Sequence, residues 1–121
     1  MTELKLIKIT VENRRVYQIP QLVIEGRKIE ILIIDPHFEK SHPYMNDKTI
    51  YYLVKKYLPY NEPKSVKKDG LWKYLVWEPL VYENKIHRLI ACLHENKVDF
   101  LGIVHCFRIK KSKYSKYEKK N

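Results

Sequence analysis

The sequence predicts an α+β domain: an antiparallel β-sheet meander packed against one main α-helix, with an extra N-terminal strand pair and a basic C-terminal tail. Three observations carry that expectation. Only Lys48 to Leu58 repeats apolar residues with a helical period, putting Ile50, Leu53, Val54, Tyr57 and Leu58 on one face. Six other runs, rich in Val, Ile, Leu and aromatic residues and bounded by polar or turn residues, read as strands. Hydrophobic residues make up 45% of the 121 and glycines number three, so the chain has material for one core and little for flexible linkers. The expected organisation is a single domain over residues 1–109 and a Lys/Tyr tail over 110–121.

Taken in order, Leu4 to Val11 alternates Leu4, Leu6 and Ile9 with lysines and runs into the polar Glu12-Asn13-Arg14-Arg15, a strand entering a turn. Val16 to Ile24 is interrupted by Pro20, which suits an edge or a bulge, and Gly26-Arg27 turns the chain into the apolar run Ile29 to Ile34, a central strand. Asp35-Pro36 ends it, because proline has no ladder donor and biases its predecessor away from helix. Asn46 or Asp47 caps the helix and Pro59 stops it. Pro59 to Gly70 lacks periodicity and reads as a long exposed loop. Trp72 to Trp77, Ile86 to Leu93 and Val98 to Ile109 complete the meander, the last two joined by a hairpin across His94-Glu95-Asn96-Lys97. Trp72, Trp77 and Tyr57 are expected in the core, as are Cys92 and Cys106, reduced thiols without a Cys-x-x-Cys spacing.

The formal charge is +10, and it is localised. Lys55 to Lys73 holds six basic and two acidic residues, Arg108 to Asn121 holds seven and one, and the rest of the chain is neutral. Basic charge confined to two segments fits a polyanion, since each Lys or Arg that neutralises a phosphate releases counterions. Lys55, Lys56, Lys67, Lys68, Lys110 and Lys111, with Tyr114 and Tyr117 able to stack on unpaired bases, are the expected nucleic-acid contacts. A solvated lysine-rich surface is the alternative. No apolar run approaches the roughly 20 residues of a membrane span, and the first five residues are not the h-region of a signal peptide, so a cytoplasmic location is expected.

Two constellations carry candidate chemistry. Asp35-Pro36-His37-Phe38-Glu39-Lys40-Ser41-His42 is the densest group of titratable side chains, at the junction of a central strand and the helix. His37 or His42, aided by Glu39, suits proton transfer near neutrality, while the simpler reading has both histidines facing solvent beside the helix cap. His-x4-His supplies two metal ligands where a site needs more, and neither a Gly-rich phosphate loop nor zinc-finger spacing occurs, so no metal or cofactor is expected. In the second constellation, a two-residue turn at Glu95-Asn96 sets Arg88 opposite residue 103 and diagonal to His105 on one face, where an Arg beside a His can stabilise phosphorane charge while the His moves a proton. A three-residue turn pairs Arg88 with Arg108 instead. A structural ion pair from Arg88 to Glu83 or Asp99, with His105 in the core, is the plainer alternative.

The stretch from Asp35 to about Tyr117 resembles the small toxins of bacterial toxin–antitoxin systems with a RelE-like or barnase-like fold, including BrnT-like members. The likeness lies in the loop and helix DPHFEKSHPYMNDKTIYYLVKKYL, the strand YENKIHRLIACL, and the closing VDFLGIVHCFRIKKSKYSKYEKK. The resemblance implies a metal-independent endoribonuclease acting on mRNA or tRNA, in which the RNA's own 2′-hydroxyl attacks the adjacent phosphate. It implies His37 or His42 as the proton-transfer group, Arg88 and Arg108 as a phosphate clamp, and His105 or Tyr117 protonating the leaving oxygen. An acidic antitoxin protein covering the basic face is the implied partner. A non-catalytic RNA- or DNA-binding module, or a basic adaptor contacting an acidic protein, uses the same residues without cleavage.

Overall fold

The computed structural model describes residues 3–36, 42 and 44–109. They form seven strands and one helix: β1 Lys5–Ile9, β2 Arg15–Ile24, β3 Arg27–Ile34, α1 Asp47–Tyr57, β4 Ser65–Asp69, β5 Trp72–Tyr82, β6 Lys85–His94 and β7 Phe100–Ile109. All seven strands join one sheet in the order β1-β2-β3-β7-β6-β5-β4.

The expected α+β meander is corrected. Strands take up 58% of the described residues, against about 20–25% in an ordinary domain, and the single helix has 11 residues, too few to cover a seven-stranded sheet. Nor is the sheet a pure meander, because β7 lies between β3 and β6 and runs parallel to β3, with Ile31 beside Phe100 and Ile34 beside Ile103. Leu101 and Ile103 of β7 lie in the core on the covered face, while Phe100 and Gly102 are on the other face, sheltered by Trp72 and Cys92, so all four are buried without alternation. The expected loop over Pro59 to Gly70 contains β4, an edge strand whose five residues are all exposed. With Lys67 and Lys68 on it, this edge carries the charges that discourage pairing with another chain.

Local chemistry explains the boundaries. Asn46 is the N-cap, its side chain accepting from the Thr49 N–H at 2.9 Å. Pro20 and Pro79 each fall within a register shift, between Gln18 and Leu22 and between Trp77 and Leu80, where the ladder does not need the missing N–H. The two-residue turn from β2 to β3 has both Glu25 and Gly26 at positive φ, 52° and 73°, and the turn from β5 to β6 does the same at Glu83 and Asn84. Such turns match the right-handed twist of the strands they join.

One face of the sheet is covered. Ile50, Leu53, Val54 and Leu58 of α1 pack into a core with Leu32, Ile34, Leu75, Trp77, Leu89, Ala91, Leu101, Ile103 and Cys106. The Cys106 thiol is pushed up to about 12 by burial, and that of the half-buried Cys92 to about 11, so both are thiols at neutral pH. Trp72 departs from the expected core: it is 38% exposed on the uncovered face. Tyr57 is half-buried, its hydroxyl bonded to the backbone of Val81.

The helix is tied to the sheet through Asp47. Its carboxylate receives Arg15 Nε at 2.6 Å and Nη2 at 2.8 Å, a two-pronged contact, and also the hydroxyl of Tyr17. Burial, then the bond to Asp47, pushes the Tyr17 phenol up to about 12. Asp47→Ala removes the carboxylate that both β2 side chains engage and the acid from the first helical turn. The expected cost is about 2–3 kcal/mol, below the figure for a fully buried pair because both partners keep some water contact. Urea denaturation at pH 7 measures it, and Asp47→Asn should recover part of the loss.

Candidate functional site

The site forms where β7 outruns its neighbour. β3 pairs with β7 only as far as Ile34 and Ile103, so residues 104–109 extend past it. The chain leaving β3 first bonds back, the Asp35 N–H donating to the Ile103 carbonyl at 3.2 Å. It then returns with His42 and Tyr44 beside the overhang. The Arg108 N–H donates to the Tyr44 hydroxyl at 2.9 Å, and the Arg108 guanidinium carbon lies 4.2 Å from the Tyr44 ring centre. Tyr44 Oη is 3.2 Å from His42 Nδ1, the direction of that bond following the tautomer.

His42 stacks on Phe107, with ring centres 5.2 Å apart and planes at 16°, and meets His105 edge to face at 5.3 Å. His105 and Phe107 touch at 4.8 Å, and the Arg88 guanidinium carbon lies 5.9 Å from the Phe107 ring centre. The fold thus gathers His42, Arg88 and His105, expected from the sequence, and adds Tyr44 and Phe107, whereas the expected Arg108 pairs with His87 on the other face of β7 and meets the group only through Tyr44. The expected His37 lies outside the described residues, as do Glu39, Lys110, Lys111, Tyr114 and Tyr117.

A β-bulge decides that His105 belongs here. The expected pairing of Arg88 with residue 103 is wrong, as is the alternative with Arg108: Arg88 sits opposite Phe107, and Ile90 opposite His105. The connection between β6 and β7 is longer than a two-residue turn because its ends are held elsewhere. Asp99 O accepts from Glu30 N and Ile31 N, Glu95 N donates to Leu71 O, and Arg27 Nη1 donates to His94 O. Cys92 therefore pairs with Gly102, a register that on its own turns His105 toward the core. Val104 is inserted without a partner between His105 and Ile103. After it the alternation flips, so that Cys106 takes the core position while His105 and Phe107 face out on the side of Arg88.

Arg88 is held by Glu78, not by Glu83 or Asp99. Its Nη2 donates to Glu78 Oε2 at 3.1 Å, and Lys64 Nζ donates to the same oxygen at 2.8 Å. Among the described residues, Arg88 Nε is buried without a hydrogen-bond partner. Glu78 thus faces two cations, Lys64 and Arg88. Burial alone would raise the Glu78 carboxyl, but the hydrogen bonds and charges of Lys64 and Arg88 outweigh it and hold the carboxyl below its ordinary 4.5. A carboxyl lowered by folding stabilises the fold at pH above its unfolded value, and that contribution is lost as pH falls through the folded one. The stability advantage of the wild type over Glu78→Gln is therefore expected to be constant from pH 7 to about 5.5 and to shrink below 4.5, measured as urea midpoints.

The expected lysine surface does not converge on this cluster. Lys55 pairs with Glu3, and Lys56 receives the company of two phenols, Nζ bonding Tyr52 Oη at 3.0 Å and lying 5.3 Å from the Tyr57 ring centre. Both are on α1, across the sheet from His105. Lys67 and Lys68 stand on β4 at the sheet's edge, pairing with Tyr74 and Lys73 and so pointing to opposite faces. The uncovered face instead offers an open trough of about 920 Å³ that reaches Val104, next to His105. Ile31, Ile33, Phe100 and Gly102 line it, with Arg14 and Lys97 among its polar groups. A Cβ on Gly102 would come within 2.7 Å of Cys92 Sγ, so any other residue there forces the Cys92 side chain to shift.

Among the described residues no group of three or more His, Cys, Asp or Glu is arranged to hold a metal ion, and no helix is long and apolar enough to cross a membrane. No family model, curated protein or solved structure matches the chain.

Proposed function

We propose that this protein is a metal-independent endoribonuclease that binds single-stranded RNA at the overhanging end of β7. The observation that carries the reading is a pair of imidazoles, His42 and His105, in contact with each other at 5.3 Å between ring centres, with Arg88 on the same face against Phe107. Cleavage of RNA without a metal needs a base, an acid and positive charge. One imidazole takes the proton of the 2′-hydroxyl, whose oxygen attacks the adjacent phosphorus. The bond to the 5′-oxygen breaks as the other imidazole protonates it, leaving a 2′,3′-cyclic phosphate. Arg88 bears the charge gathered on the phosphoryl oxygens. The resemblance to RelE-like toxins supports the same chemistry and adds an expected acidic antitoxin and a cytosolic mRNA or tRNA substrate.

A non-catalytic RNA-binding role has one observation in its favour: His42, Tyr44, Phe107 and His105 form an aromatic group beside arginines, a surface on which a base can stack. Incubation of the protein with a labelled single-stranded RNA at low salt in EDTA separates the two. Fragments ending in 2′,3′-cyclic phosphate, and none from the 2′-O-methyl RNA, are expected. Salt-sensitive binding with no fragments establishes the binding role instead, and neither binding nor fragments sinks both.

A further inference from the structure

The two edges of the sheet are built differently, and the difference points to a docking surface. β4 presents one large apolar side chain, Val66, beside Lys67 and Lys68. β1 presents three: Leu6, Ile7 and Ile9, 49, 49 and 57% exposed. Among the described residues β1 pairs only with β2, so its outer row of N–H and C=O groups faces away from the sheet. It is also held in position. Glu3, just before it, accepts from Tyr51 Oη at 3.0 Å and from Lys55 of α1, and the turn after it is closed by Thr10 N to Arg14 O at 2.9 Å.

We infer that β1 is the docking edge for an extended segment of another protein that alternates apolar and acidic side chains. The pattern follows from the register. Leu6 pairs with Tyr17 and Ile9 with Arg15, which puts both apolar residues on the face that carries the helix. Lys5 pairs with Gln18 and Lys8 with Val16, and the register shift at Ile7 sends both lysines to the opposite face. An added strand gains main-chain hydrogen bonds from the open ladder, while side-chain pairs across it select the sequence. Apolar residues on one face then meet Leu6 and Ile9, and acidic ones on the other meet Lys5 and Lys8. A second copy of this chain is disfavoured. Two β1 strands paired antiparallel about Ile7 set Lys5 against Ile9 and Lys8 against Leu6, charged against apolar, and each copy carries a formal charge of +10.

The test uses two labelled nine-residue peptides, one alternating valine with glutamate and one valine with lysine, titrated against the whole protein and followed by anisotropy and by hydrogen exchange. The glutamate peptide is expected to bind at least tenfold more tightly than the lysine peptide and to slow exchange at Lys5–Ile9. In the Lys5→Glu/Lys8→Glu variant the preference should reverse, and that reversal also shows that the variant's edge is intact. Failure to bind, protection elsewhere than β1, or a preference unchanged by the charge reversal overturns the proposal. So does self-association of the protein alone that protects β1, which assigns the edge to a second copy. None of these readouts depends on RNA cleavage, so the inference stands or falls apart from the function proposed above.

Discussion

Alanine at position 77 is expected to destabilise the protein by about 3–5 kcal/mol, the largest effect of any single truncation considered. Trp77 is 1% exposed and among the largest of the fully buried side chains. Its removal forfeits the transfer of an indole from water and leaves a space that the packed strands cannot close. Trp77 also fastens a loop. Its Nε1–H donates to Asn61 O at 2.9 Å, while Asn61 Nδ2 donates to Tyr57 O at 2.8 Å, so the indole holds the segment by which the chain leaves α1. Trp77→Phe keeps most of the volume and loses that bond, and about 1–2 kcal/mol is expected. Trp72→Ala should cost about 1 kcal/mol or less, since that ring is partly in water already. Urea unfolding of the three variants checks the ranking, and equal costs at 72 and 77 would contradict the packing described.

His42→Ala and His105→Ala are each expected to slow RNA cleavage by about 100-fold or more, the usual contribution of a positioned acid or base. Binding of the same RNA with a 2′-O-methyl group should weaken less than tenfold, because Arg88 remains. That split separates proton transfer from simple contact. Neither histidine is in the core cluster, so both variants should fold, which circular dichroism verifies. Cleavage unchanged in both variants would remove the imidazoles from the mechanism.

Much of the local structure was legible in the sequence because it rests on local chemistry. The helix over Lys48 to Leu58 is there to within one residue, its cap is one of the two residues expected, and Pro20 falls in a bulge. The arrangement of strands was not legible. A parallel pair leaves no turn sequence to read, and the run Phe100 to Val104 looks the same whether its strand ends a meander or lies between two neighbours. β4 has no alternation because neither of its faces is buried, so nothing separated it from a loop. At the candidate site Arg88 and His105 come together as expected, but by a different register. Arg88 and His105 share a face only because a longer connection and the extra Val104 act together, and neither device has a signature in the sequence. Glu78, Lys64 and Phe107 were missed for the same reason, their roles depending on which strand lies beside which. Trp72 shows the converse error, a large aromatic ring assigned to the core by its size alone.

The parallel contact between β3 and β7 also sets how the chain can reach its native state. On one side of it β1, β2 and β3 are joined by short turns, and on the other β4 to β7 follow one another just as closely. Each group can zip up from its own hairpins, whereas the contact between them joins Ile31 to Phe100 and must close a loop that holds α1 and three strands. Loop closure of that span costs chain entropy before any burial repays it, so assembly of the two groups is the slow event. Until it occurs, β3 and β7 each expose an apolar flank, which makes the half-assembled chain the species most liable to aggregate.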